Sequence, residues 1–130
     1  MKWLRTYLTF NAVVAALSGF GFIAFPLALT ASQPEVIPAG GLIFVRTVGG
    51  MIITLGILDW YARDLKDSKM MQGVIVTNIL FHAFSVGFDV LAISQGIIKD
   101  PTEWYNIAFR SALGLGFVYF LIRNLGKKSA

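Results

Sequence analysis

Asn78, His82, Ser85 and Asp89 follow one another at intervals of four, three and four residues inside an otherwise apolar run. Those intervals place all four side chains on one face of an α-helix. The run, 70–93, is long enough to cross a bilayer, where a carboxylate or an imidazole turned toward lipid is costly. The stripe must therefore face protein, water or a ligand. His82, close to the middle of the span, has three chemistries open to it. It can relay a proton to Asp89 through Ser85 and water, because seven residues of helix rise about 10.5 Å and exceed hydrogen-bond reach. It can be the lone axial ligand of a haem or chlorophyll-type pigment. With no second histidine in the chain, a haem would then need a methionine such as Met51 opposite. It can also be a neutral histidine hydrogen-bonded to a neighbouring helix, as polar intramembrane groups commonly are. The last is the expectation, with no metal and no cofactor beyond a bound lipid.

A second constellation comes from depth. Arg46, Asp89 and Arg110 each lie five or six residues in from the same edge of their apolar runs. A rise of 1.5 Å per residue puts all three roughly 7–9 Å below that interface. Two arginines and one aspartate at one level predict a buried ion cluster with a surplus positive charge, to be met by Glu35, Glu103, a lipid phosphate or an anionic ligand. Arginine suits the task because its planar fork binds two carboxylate or phosphate oxygens at once. The alternative is that both arginines snorkel to headgroups and Asp89 pairs with one of them. On the other side of the span Asn11 and Asn78 reach similar depth near Thr54, which predicts an Asn–Asn or Asn–Thr bond between helices worth about 0.6–2 kcal/mol. Asp59 stands four residues before Arg63 and reads as an i, i+4 ion pair at the inner interface.

The elements that must position these groups are four apolar segments, predicted as helices over about 4–29, 42–61, 70–93 and 101–124. Of the 130 residues, 56% are hydrophobic and 14% charged, which points to an integral membrane protein. Each segment matches the roughly 20 residues that span the hydrocarbon core. Together they occupy most of the chain as one domain, 1–130, an all-α membrane four-helix bundle. The first segment is too long for a cleaved signal. Pro26 removes the amide that would bond the Phe22 carbonyl, so a kink or an early end is expected there. Thr30–Gly41, with Pro34 and Pro38, reads as an irregular loop. Asp100-Pro101-Thr102-Glu103 has the pattern of an N-cap, a first-turn proline and a glutamate three residues after the cap, and Gly126 is a plausible stop.

The halves resemble each other. Asn11 and Ser18 match Asn78 and Ser85 in spacing, and Arg46–Gly50 matches Arg110–Gly114. That would make the fold a parallel repeat of two helical hairpins; biased membrane composition can also produce such matches by chance.

Basic residues fix the expected orientation. Lys2, Arg5, Arg63, Lys66, Lys69, Arg123, Lys127 and Lys128 fall on one side, against Lys99 on the other. The positive-inside rule then puts both termini in the cytoplasm, with Gln33 and Lys99 outside. The net charge of +4 is accordingly a topology and headgroup signal rather than a nucleic-acid footprint. Trp3, Trp60 and Trp104 sit where aromatic belts belong. The chain has no cysteine, which excludes thiolate catalysis, disulfides and sulfur-ligated metal. Gly49, Gly50, Gly56, Gly114 and Gly116 suggest close helix packing, since no phosphate-loop spacing is present.

Arg46-x-x-Gly49-Gly50 followed by Leu55-Gly56-x-Leu58-x-Trp60-x-x-Arg63 resembles small four-helix proteins of the bacterial inner membrane, DoxX-like ones among them. The likeness covers the second span and the general plan, and it implies topology more than activity. The expected function is non-catalytic: an accessory or assembly subunit, or the holder of a lipid-like ligand. Its partners would be membrane lipids and other membrane subunits or further copies of the chain, with no nucleic acid. The alternative is a small transporter or proton/ion conduit using His82, Asp89, Arg46 and Arg110. An enzyme ranks behind both, because no nucleophile–base pair or metal-ligand set is visible.

Overall fold

The computed structural model describes residues 2–29, 39–66 and 69–126. Among them the chain is helical, without strands: α1 (Lys2–Ala24), α2 (Pro26–Leu29), α3 (Ala39–Ala62), α4 (Lys69–Ser94) and α5 (Glu103–Gly126). All but α2 are long and apolar enough to cross a membrane. The chain divides into two compact units, Met1–Asp64 and Leu65–Ala130. In the first unit α1 packs along α3; in the second α4 packs along α5.

Helix ends follow from local chemistry. Proline stops α1: the Phe25 amide still reaches the Gly21 carbonyl at 2.8 Å, but Pro26 offers no donor and opens the separate turn α2. The predicted loop with Pro34 and Pro38 falls outside the described residues over 30–38, and α3 begins at Ala39, ahead of the expected Leu42. At the end of α4 the Gly96 amide bonds the Ile93 carbonyl and the Ile97 amide the Ala92 carbonyl, both at 2.9 Å. This double closure needs a left-handed residue, and Gly96 supplies it with φ of 70°. The Asp100 carboxylate caps the approach to α5, accepting the Thr102 amide at 2.8 Å and its hydroxyl at 2.7 Å.

The first hairpin closes through small residues. A Cβ on Gly19 would lie 2.5 Å from the Gly49 carbonyl oxygen, and one on Gly56 would lie 3.0 Å from the Ala12 carbonyl oxygen. Residue numbers fall along α1 as their partners rise along α3, so the helices are antiparallel. Leu4, Leu8, Asn11, Ala12, Ala15 and Gly19 form the buried face of α1, while Phe10, Leu17 and Phe20 are exposed.

The second hairpin, also antiparallel, is filled by larger groups. Met71, Val74 and Ile75 of α4 and Leu113, Phe117 and Phe120 of α5 are buried. Its close approach is at Gly114, where a Cβ would lie 3.2 Å from the His82 Cβ. Gly50, matched to Gly114 by sequence spacing, has nothing within 4 Å of such an atom. The two glycines thus have different surroundings.

Candidate functional site: a polar seam between α4 and α5

His82, Ser85 and Asp89 share the face of α4 that meets α5. Three side chains on α5 continue their line toward the start of that helix. Arg110 approaches Asp89, with Nη1 3.8 Å from Oδ2. Its Nε donates to Asn106 Oδ1 at 3.1 Å, and Asn106 Nδ2 donates to Glu103 Oε1 at 2.6 Å. The ladder therefore runs Glu103, Asn106, Arg110, Asp89. Arg110 and Asp89 are about three-quarters covered, with side chains 25% and 21% exposed.

Deeper along the hairpin, His82 is 5% exposed, and its Cβ would lie 3.2 Å from a Cβ placed on Gly114. The ring lies nearly parallel to Phe117, centroids 6.1 Å apart, and edge-on to Phe81 at 5.4 Å. Neither ring nitrogen has a hydrogen-bond partner among the described residues, nor does Asp89 Oδ2. The helix register that pairs 82 with 114 and 89 with 110 puts Ser85 and Ser111, both half-buried, at the level between. The seam's polar members are thus Asp89 and Arg110 at one level and His82 deeper in, with Ser85 between them on α4. The next buried side chains are Asn78, whose amide Nδ2 donates to the Val74 carbonyl at 3.1 Å, and the apolar Ile75, Val74, Phe117 and Phe120.

Several sequence expectations change. Arg46 belongs to the first unit, where it is exposed on α3, and Asp89 and Arg110 belong to the second. Within the second hairpin the ladder brings in Glu103 through Asn106, so its charged members there are two acids and one base. Asn11 donates from Nδ2 to Asp59 Oδ2 at 2.6 Å, a partner the sequence did not point to. Thr54 is exposed and turns its hydroxyl back to the Gly50 carbonyl at 2.9 Å, the local bond a helical threonine makes most easily. Asp59, read as half of a surface ion pair, is wholly buried. Arg63 instead lies over the Trp60 ring at 3.4 Å, with its Nε 3.4 Å from Asp64. The expected hydrogen bond to His82 from a neighbouring helix is absent within the second hairpin: α5 presents Gly114 and Phe117 there. Sequence reasoning missed Asn106, although its spacing to Glu103 and Arg110 follows the same three-and-four rule that revealed the α4 stripe.

Among the described residues no group of three His, Asp or Glu side chains is placed to hold a metal ion. Comparison with known protein families, with curated proteins and with solved structures finds no match for this chain.

Proposed function

We propose that this chain is a multi-pass protein of the bacterial inner membrane, both termini cytoplasmic, that works without catalysis by holding a lipid-like ligand. The DoxX-like resemblance and the basic-residue asymmetry support the location. The observation that carries the ligand reading is the buried His82 imidazole, both of whose nitrogens lack a hydrogen-bond partner among the described residues. A row of polar groups enters the α4–α5 interface from the Glu103 end and reaches His82. Buried polar atoms without partners are rare, and a binding role is one of the few physical accounts of them. An accessory role in a larger membrane assembly is compatible with the broad apolar surface, from Phe10 and Phe44 to Phe88 and Leu115.

The conduit alternative uses the same residues but needs a hydrated path continuing past Asn78. In the second hairpin that stretch is apolar apart from Asn78, and the Asn78 amide bonds its own helix. Native mass spectrometry in mild detergent tests the proposal. A small amphiphile should be retained at fixed stoichiometry and lost in His82→Leu. Protein in liposomes should pass no more protons than empty vesicles. A proton flux abolished in folded His82→Gln and Asp89→Asn would overturn the ligand reading in favour of the conduit.

A further inference from the structure

Independently of the seam, we infer that the end of the first hairpin carrying Arg5 and Arg63 is a lipid site of its own, taking the phosphate of an anionic glycerophospholipid. Its residues all belong to the first unit. The Arg63 amide bonds the Asp59 carbonyl at 3.0 Å, so the helical path of α3 runs on one residue past Ala62. Arg63 therefore shares a face with Trp60, three residues earlier, and its guanidinium carbon rests 3.4 Å from the centre of the Trp60 ring. That is the separation of two stacked planar groups. The ring takes the flat face of the guanidinium and leaves its N–H edge to oxygen atoms.

Arg63 Nε donates to Asp64 Oδ2 at 3.4 Å, and Arg5 Nη2, from the first turn of α1, lies 2.9 Å from Asp64 Oδ1. One carboxylate thus holds two guanidiniums, each by a single nitrogen. Among the described residues the other nitrogens of both guanidiniums have no hydrogen-bond partner. The Arg63 side chain is 20% exposed and that of Arg5 63%, so one cation is fixed in place and the other is open to the headgroup layer. Lys2 is exposed one turn before Arg5, and the cations here outnumber the exposed carboxylate three to one. The start of α1 and the end of α3 meet at this end with opposed dipoles, which leaves the sign of the field to the side chains. Trp60 and Tyr61 are exposed beside them, the residue types that anchor at the level of lipid headgroups. Two guanidiniums with unused N–H groups can share the two non-bridging oxygens of a phosphodiester. Phosphatidylcholine offers the same oxygens but brings a quaternary ammonium toward the same cations, so the site favours a lipid of net negative charge.

Native mass spectrometry of the full chain in dodecyl maltoside, titrated with phosphatidylglycerol or phosphatidylcholine, reads the site. Phosphatidylglycerol should bind about tenfold more tightly, and Arg63→Gln should remove most of that margin. Arg63→Lys keeps the charge but loses the stacking plane and the fork, and should weaken binding about fivefold. Arg5→Gln changes an exposed side chain, so its loss of about threefold reads the site even if the Arg63 variants fold poorly. Lys69→Gln removes a charge from the second unit and should matter by less than about twofold. A harmless Arg63→Lys, or Lys69→Gln as costly as Arg5→Gln, would mean diffuse attraction and overturn the site. Equal binding of the two lipids would overturn it as well, as would displacement by millimolar inorganic phosphate, which would make the ligand a soluble anion. His82→Leu should leave phosphatidylglycerol binding unchanged, whatever it does to the seam. Loss in that variant would move the anionic lipid to the seam and overturn this inference without touching the ligand-holding reading.

Discussion

Asn11 and Asp59, 48 residues apart, meet inside the first hairpin with the amide donating to the carboxyl oxygen at 2.6 Å. Asn11 is 3% exposed and Asp59 0%. A buried carboxyl group keeps its place only when hydrogen-bonded, so this contact binds α1 to α3 at a defined register. Asn11→Leu should destabilise the hairpin by about 1–3 kcal/mol, the loss expected for a buried hydrogen bond to a charged group. Adding Asp59→Leu should cost less than the sum of the two single changes, because the hydrogen bond the two side chains share can be lost only once. Denaturation in mixed micelles measures all three. Additive losses would show that the two side chains do not act as a unit.

Neighbouring glycines on α3 should behave oppositely. A Cβ at position 49 would lie 2.7 Å from the Gly19 carbonyl oxygen and 2.9 Å from the Phe22 Cβ, so Gly49→Ala must push α1 away. At Gly50 the same atom meets nothing within 4 Å. Gly50→Ala should therefore be neutral or stabilise the helix by up to about 1 kcal/mol through backbone entropy. The pair is compared by thermal aggregation of the detergent-solubilised variants. Equal destabilisation of both would contradict the asymmetry of the α1–α3 contact.

The helices were legible because their signals are local. A span-length apolar run, Pro26 as a breaker and Asp100 as a cap each act within a turn or two, and each left its mark in the sequence. The α4 stripe was legible for the same reason, as a spacing within one helix. The partner of Asp59 was not. Four residues from Arg63, it has the pattern of a surface pair. Only the antiparallel register of α1 on α3, set by how closely Gly19, Gly49 and Gly56 let the backbones approach, brings it to Asn11. Depth counting likewise aligned Arg46 with Asp89 and Arg110. Depth does not specify which way a side chain points around the helix, and Arg46 lies on an exposed face.

Asp100 makes the start of α5 sensitive to acid. Its two hydrogen bonds from Thr102 favour the carboxylate and hold its pKa below the ordinary aspartate range. A depressed folded value means that the cap contributes fully above the unfolded pKa, near 3.9, and is lost as pH falls through the lower folded value. Amide exchange at Thr102, Glu103 and Trp104 should therefore stay protected at neutral pH and lose protection in that acidic window. Asp100→Asn should remove the pH dependence while keeping much of the cap, since asparagine also accepts the Thr102 amide. Protection that is unchanged by acid in the parent protein would remove Asp100 from the start of α5.

The orientation proposed for the chain can be read with single cysteines, because the natural sequence has none. Lys66 and Lys99 are both exposed on segments between long helices, so replacing either disturbs no packing. The basic residues around Lys66, including Arg63 and Lys69, resist translocation, whereas Lys99 stands beside Asp100 and Glu103 with little net positive charge. A membrane-impermeant maleimide should label Lys99→Cys in intact cells and should label Lys66→Cys only after the membrane is opened. Adding basic residues beside position 99 should weaken the preference, because the rule counts positive charge near the helix ends. The reverse labelling pattern would turn the seam's Glu103 end toward the cytoplasm and make its ligand one drawn from that side.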